Sequence, residues 1–223
     1  MLSLKFSASK ASWQVPPNHG TAKEEKILHG ILSKKFSNRC QYCNTYDTEY
    51  NEISHIDENH SNNNEDNLTL ACPLCHQCLH LGRVAGSEGG KMIWAPDISQ
   101  AEINNLARTY WIMEFDQDHP MLHSTRALAN RIDHQANVLE SYYVSGASNP
   151  GFWAEMLIKL TPEQYERRGE LMSSIRLWPS LTKFKKMIPK WATAIEVNLP
   201  KSEWERLAVD SINKTEIDLG KND

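Results

Sequence analysis

Two short stretches, Cys40-Gln41-Tyr42-Cys43 and Leu68-Thr69-Leu70-Ala71-Cys72-Pro73-Leu74-Cys75, decide the fold of this chain. Each contains a Cys-x-x-Cys pair, and 28 residues separate the two pairs. Two such pairs supply the four thiolates of a tetrahedral site, which suits zinc. Because four thiolates leave no coordination position for water, we expect one structural zinc ion that catalyses nothing. Its predicted ligands are Cys40, Cys43, Cys72 and Cys75.

Other readings of the cysteines are weaker. Small buried hydrophobic cysteines rarely fall by chance into two such pairs, and a redox pair would not need the second one. Cys78 leaves one alternative open, because Cys75-His76-Gln77-Cys78 has the same spacing. We favour Cys72 and Cys75 as the second ligand pair. In a reducing compartment, five cysteines crowded between residues 40 and 78 indicate metal ligands rather than disulfides.

Composition and charge restrict the class of protein. The chain is 40% hydrophobic and 23% charged, and no apolar run approaches the roughly 20 residues of a membrane helix. The N-terminus has no charged lead before an apolar stretch, so we expect no secretory signal and a cytosolic protein. The segment from Cys40 to Gly82 contains seven acidic residues and no Lys or Arg. Since phosphates are bound by neutralising cations, we do not expect this segment to bind nucleic acid, and an acidic partner would prefer the basic residues of 155–190.

The remaining pattern predicts an α+β protein. Strand-like stretches at 2–7 and 12–15 precede a helix that begins with the capping box Thr21 to Glu24. Strands are expected at 50–56 and 68–70, a helix from Pro73, and a strand at 92–94 that closes a small domain. Helices follow from the capping box Ser99 to Glu102, from Thr161, and over 180–195 with a kink at Pro189. Another helix is expected over 124–143, with Leu128, Ile132, Ala136 and Leu139 facing inward. The predicted units are 1–97, a zinc-binding domain; 98–198, a helical domain; and 199–223, an amphipathic piece and polar tail.

The zinc segment resembles the HNH nuclease pattern, in which two strands and a helix (ββα) are held together by zinc. The resemblance rests on Ser54-His55-Ile56, Asp66-Asn67-Leu68 and Cys72-Pro73-Leu74-Cys75-His76. It implies that His55 is the general base, that Asn67 fixes the loop and that His76 binds a catalytic metal. The family usually has Asp before the first His, whereas this chain has Ser54, and a hydroxyl is a poor ligand for Mg²⁺. The alternative is that these histidines, with His60 and His80, are chemically idle.

Over most of its length the chain resembles the DotN (IcmJ) family of the Dot/Icm type IVB secretion coupling complex. The resemblance is carried by four stretches besides the cysteine pairs: 4–13, 82–94, 96–115 and above all 174–192, SIRLWPSLTKFKKMIPKWA. It implies a subunit that docks the C-terminal extension of a DotL-like coupling ATPase, next to acidic adaptors of the IcmS and IcmW kind. The expected location is the bacterial cytoplasm, with the inner membrane reached only through the partner.

Two functions therefore compete at the level of the sequence. The leading hypothesis is a non-catalytic scaffold with an exposed apolar groove on its helical half, which a partner segment fills. The alternative is a metal-dependent HNH nuclease that uses His55, Asn67 and His76, and it requires an open divalent site beside the two histidines.

Overall fold

The computed structural model describes residues 1–8, 20–116 and 118–198, with the backbone alone over 195–198. The predicted strand at 12–15 and the tail at 199–223 lie outside the described residues. Within the described ranges, no helix is both long and apolar enough to cross a bilayer. The α-helices are α1 (Ala22–Lys35), α2 (Pro73–Cys78), α3 (Leu81–Gly86), α4 (Gln100–Phe115), α5 (Leu122–Tyr142), α6 (Pro150–Lys159), α7 (Pro162–Glu166), α8 (Arg168–Leu171), α9 (Leu181–Phe184) and α10 (Ile188–Asn198). The strands are β1 (Glu52–His55), β2 (Leu68–Ala71), β3 (Gly90–Trp94) and β4 (Ile175–Pro179), and 3₁₀ turns lie at Glu65–Asn67 and Lys185–Met187.

An antiparallel hairpin and a short helix carry the cysteine pairs. β1 pairs with β2 in the register Ile53 to Leu70 and His55 to Leu68, and α2 follows β2 directly. α1 packs on both strands through the fully buried Leu32, and its predicted capping box at Thr21 is present. The order strand, strand, helix agrees with the predicted α+β class, and the chain folds here because each element buries one apolar face against the next.

The second sheet joins distant parts of the chain. β3 pairs antiparallel with β4, with Met92 opposite Leu177. The strand at 92–94 was predicted to close a small N-terminal domain; that prediction is wrong, because its partner lies beyond α8. α5 covers β3 along most of its length, and Leu139 of that helix is fully buried.

The described residues form two large hydrophobic cores and a smaller one between α1 and the hairpin. The first surrounds the cysteines and takes in Trp111 of α4 and Trp191 of α10, and the second lies beneath α5 and α6 around Trp153. Both cores and the β3–β4 sheet combine residues from before and after residue 97. The predicted units 1–97 and 98–198 stay a prediction, and their described residues share these cores.

A polar network ties the N-terminal residues to the helical segment. Arg168 is buried, forms an ion pair with Glu58 and donates a hydrogen bond to the carbonyl of Phe6 at 2.9 Å. Glu58 also accepts hydrogen bonds from Ser7 at 2.7 Å and from Tyr165 at 2.9 Å. Because each buried charge here has partners, the network fixes α7 and α8 against the hairpin loop.

The C-terminal basic stretch differs from its prediction. The expected helix over 180–195 is three pieces, α9, a 3₁₀ turn and α10, and Pro189 lies in the first turn of α10 instead of kinking a continuous helix. Proline is tolerated there because the first turn of a helix has no internal acceptor for its N–H. The stretch 2–7, predicted to be strand-like, does not form a strand in the structure. Leu2 and Ser7 nevertheless donate backbone hydrogen bonds to the carbonyls of Gln41 and Cys78.

The helix predicted over 124–143 is present as α5, but one of its expected inward positions is wrong. Leu128 is 40% exposed, whereas Ala136 and Leu139 are buried as predicted.

Candidate metal centre

Local backbone geometry brings each cysteine pair into a tight turn. In the first pair, Asn44 adopts a left-handed conformation with φ of 61° and donates its backbone N–H to the carbonyl of Cys40 at 2.9 Å. Asn is one of the few residues that enter this region at low cost. In the second pair, Cys72 caps α2 and Pro73 occupies the first helical position, where a missing N–H costs nothing.

The four thiols form one compact cluster. The sulfurs of Cys40, Cys43, Cys72 and Cys75 lie within 4.8 Å of one another, and all four residues are buried. Cys43 and Cys72 are separated by 3.6 Å between their sulfurs. Four thiolates at the usual Zn–S distance of about 2.3 Å would be roughly 3.8 Å apart at the corners of a tetrahedron. The cluster therefore has the size and the donor set to hold a metal ion.

Protons are shared unequally among these thiols. The hydrogen bond between Cys40 and Cys43 lowers the pKa of the Cys43 thiol and raises the pKa of the Cys40 thiol. Because a bound metal needs all four sulfurs as thiolates, its binding would release the remaining protons.

Polar groups of α4 surround the cluster. Asn104, which is fully buried, donates its side-chain N–H to the sulfur of Cys75 at 3.3 Å, and Asn105 donates to the backbone carbonyl of Cys43 at 3.3 Å. Thr45 lies 3.2 Å from the sulfur of Cys43. Hydrogen bonds from residues around a metal site orient its thiolate ligands and spread their negative charge.

Cys78, which the sequence left as an alternative ligand, lies outside the cluster. Its thiol donates to the carbonyl of Leu74 at 3.3 Å within α2, and burial raises the pKa of the Cys78 thiol. A buried, protonated thiol of this kind is inert.

The residues of the nuclease hypothesis lie outside the cysteine cluster: His55 on β1, Asn67 in the 3₁₀ turn before β2, and His76 on α2. Asn67 fixes the loop between β1 and β2: its side chain donates to Asp57 and to the carbonyl of Asn62, both at 2.8 Å. His55 is buried, with its Nε2 3.0 Å from Asn63. The Nδ1 of His76 contacts the carboxylate of Glu52, whose side chain is 46% exposed. Asn67 therefore has the contacts expected of a loop-fixing residue.

Two further histidines connect His55 to His76. The ring centroids of His55 and His60 are 5.3 Å apart, those of His60 and His80 are 5.0 Å apart, and those of His80 and His76 are 4.6 Å apart. The Nε2 atoms of His76 and His80 face each other at 3.1 Å. Burial, with the neighbouring His76 and His60, lowers the pKa of His80 to about 2, so this ring is neutral.

Sequence reasoning missed this series and the α4 residues that face the cysteines. The spacing of His76 and His80, four residues apart, could have placed them on one side of the chain after Pro73. Asn104 and Arg108 have the same spacing along α4, and both are buried. No local signal distinguishes such polar residues from exposed ones.

Together the fold and the cluster define a class: an α+β protein in which a hairpin and the helix after it bring four cysteines into one buried metal-type site. No family model matches the chain. Among curated proteins, the chain is 28% identical over 193 residues to the type 4 apparatus protein DotN of Legionella pneumophila. The matched region covers 86% of this chain and 90% of that protein. This similarity supports the DotN family that was predicted from the sequence.

Proposed function

We propose that this protein is a zinc-containing, non-catalytic scaffold of a type IV secretion apparatus that docks a segment of the coupling ATPase. The observation that carries the proposal is the similarity to DotN along almost the whole of both chains, combined with the four-cysteine cluster. A similarity that covers 86% of this chain extends well beyond the segment that carries the cysteines, and this favours a shared assembly role over a shared metal site alone. The protein would then act at the cytoplasmic side of the inner membrane.

Zinc is the metal that fits the cluster best. Four soft thiolates in a tetrahedral arrangement favour zinc over hard oxygen-binding cations, and a full shell supplies structural stability and no reactive water. Comparable sites bind zinc with about 10–16 kcal/mol, more than the stability of many small domains. Metal removal should therefore unfold the region around the hairpin.

The zinc assignment is tested by metal analysis of the purified chain and of two cysteine variants. We expect one zinc ion per chain, an intense sulfur-to-metal band after Co²⁺ replacement, and loss of both in Cys75→Ser. Cys78→Ser is the matched control, because Cys78 is equally buried on the same helix and should leave the metal in place. Full zinc content in Cys75→Ser would contradict the assigned ligand set.

An apolar groove on the helical half supports docking of a partner segment. The groove has a volume of about 660 Å³ and lies between α6 and α7, where Leu157, Ile158 and Leu160 line it together with Pro162. Extended or helical segments bind such grooves through a few apolar anchors. The surrounding glutamates, Glu163 and Glu166, would favour a segment with basic residues at its ends.

Co-purification with the C-terminal extension of a DotL-like ATPase tests the docking. We expect a stable complex with the unmodified chain and at least about tenfold weaker binding for Ile158→Asp, since a buried unpaired carboxylate is costly. Leu171→Asp is the control, because Leu171 is 51% exposed and outside the groove. IcmS- and IcmW-like adaptors should join only when the ATPase segment is present. Absence of any complex across salt and pH conditions would refute the scaffold role.

One observation favours a second candidate, a metal-dependent nuclease. The facing Nε2 atoms of His76 and His80 could share a divalent cation, and Asn67 holds the loop beside His55 as the HNH pattern requires. Plasmid cleavage with Mg²⁺, Mn²⁺ or Ni²⁺, compared with His55→Ala at equal zinc content, tests this candidate. Cleavage that the variant loses would establish the nuclease, and its absence under all three metals would exclude this activity.

A further inference from the structure

The guanidinium of Arg108 is buried without hydrogen-bond partners. Arg108 is 5% exposed, and within the described residues none of its three nitrogens, Nε, Nη1 or Nη2, has a hydrogen-bond partner. A buried cation left in this state is costly, because its lost hydration is not replaced. Something close to Arg108 must therefore stabilise the charge.

The helix that carries Arg108 directs it at the cysteine cluster. Asn104, one turn earlier on α4, donates to the sulfur of Cys75, and Ala107 and Trp111 belong to the same core as the four cysteines. Burial disfavours the charged form of Arg108, and the anionic groups that act on its guanidinium are Cys72 and Cys43, followed by Asp47. The negative charge that faces Arg108 is thus supplied mainly by the candidate metal centre.

Trp191 of α10 completes the surroundings of Arg108. The guanidinium carbon lies 4.5 Å from the centre of the Trp191 ring, a cation–π contact. The indole Nε1 donates to the carboxylate of Asp47 at 2.8 Å, and Asp47 also accepts from the backbone of Glu49 and Tyr50 at 2.9 Å. The last described helix is therefore attached to the loop between the first cysteine pair and β1.

We propose that Arg108 is the buried counter-ion of the metal–thiolate centre and links its charge to the docking of α10 through Trp191. The proposal rests on the proposed zinc site. Zinc with four thiolates carries a net charge of about −2. In a buried site a nearby cation stabilises this negative charge, and the same negative charge stabilises the buried guanidinium of Arg108. The metal centre and the guanidinium therefore stabilise each other, and Arg108 is a positioning residue that slows release of the metal.

The test is the rate at which the full-length, zinc-loaded protein loses zinc to a chromogenic chelator. We expect Arg108→Met, which keeps the length of the side chain and removes its charge, to lose zinc about 10- to 100-fold faster, the size expected for one partly screened buried charge. Arg108→Lys restores the charge and should remain within about threefold of the unmodified protein. Arg126→Met is the control, because Arg126 pairs with Glu114 at the protein surface.

The outcomes separate this inference from the zinc assignment. An unmodified protein that purifies without metal overturns both. A protein that holds zinc tightly, with Arg108→Met indistinguishable from it, overturns the counter-ion role alone. Equal rates for the Met and Lys variants would also overturn it, since packing rather than charge would then be responsible. If Arg108→Met does not fold, Arg108→Gln, which keeps polar N–H groups without charge, replaces it in the same comparison.

Discussion

Replacing Gln100 by alanine would remove a side chain that behaves like a short strand partner of β4. The Gln100 amide accepts from the backbone N–H of Leu177 at 2.7 Å and donates to the carbonyl of the same residue at 2.9 Å. It also donates to Asn104 at 2.9 Å, and Asn104 donates to the sulfur of Cys75. A chain of buried amides thus connects the second sheet to the cysteine cluster.

The cost of Gln100→Ala follows from the groups that it leaves behind. Both backbone groups of Leu177 and the side-chain oxygen of Asn104 lose a partner in a region where Leu177 and Asn104 are fully buried. Each abandoned buried group costs about 1–3 kcal/mol. Allowing for relaxation, we expect the free energy of unfolding to fall by about 3–5 kcal/mol, a large part of the roughly 5–15 kcal/mol of an ordinary domain.

Urea unfolding at fixed free zinc, followed by tryptophan fluorescence, measures this loss. Glu102→Ala is the control two residues away: Glu102 is exposed, closes the capping box with Ser99 and should cost about 1 kcal/mol. Fixed zinc is needed because metal binding to the folded state adds to the apparent stability. If Gln100→Ala costs no more than Glu102→Ala, the reasoning about the buried amide chain is refuted.

Three further substitutions test the stability of other parts of the fold, each against a control variant or as a function of pH. Arg168→Ala should lower the free energy of unfolding in urea titration by about 3–5 kcal/mol, because it leaves the partly buried carboxylate of Glu58 without its ion pair. Arg167→Ala removes an exposed ion pair and should cost less than about 1 kcal/mol. Equal costs for the two variants would contradict this prediction. Gly90→Ala should lower the melting temperature by several degrees, because φ at this residue is 150° and a Cβ would lie 2.4 Å from a carbonyl oxygen of β4. In Gly86→Ala the added Cβ meets no atom within 4 Å, and the melting temperature should not fall. His80 is neutral in the folded protein, whereas in the unfolded chain it binds a proton near pH 6.5. Below pH 6.5 the free energy of unfolding of the unmodified protein should therefore fall relative to that of His80→Gln, by about 1.4 kcal/mol per pH unit. A difference between the two proteins that does not change with pH would contradict the lowered pKa.

Local signals predicted the parts of the fold that depend on neighbouring residues. The predicted capping boxes at Thr21 and Ser99 are present, because each is closed by a residue three positions later. The helix predicted from Thr161 is also present, and there the structure adds a third capping box. The Cys-x-x-Cys spacing likewise fixes each tight turn by itself, and so the cysteine cluster was predictable before any tertiary contact was known. Three tryptophans, Trp111, Trp178 and Trp191, are buried in the same core as the cysteines.

Features that depend on distant pairing were not predictable. No strand was predicted at β4, because Ile175–Pro179 does not alternate between apolar and polar residues. Four of its five residues are buried in the structure, where β4 pairs with β3. The roles of Gln100, Asn104 and Arg108 likewise depend on what α4 packs against, since polar residues on a helix are ordinarily assigned to its solvent side.

The pairing of β3 with β4 also sets an order of events during protein synthesis. Both cysteine pairs leave the ribosome long before Ile175, so a growing chain can bring its thiols together while the backbone N–H and C=O groups of β3 still lack their partner strand. Unpaired edges of this kind are where nascent chains associate wrongly. A ribosome that stalls between α4 and α8 would therefore expose an aggregation-prone polypeptide in which both cysteine pairs are already present, and synthesis of β4 removes that hazard.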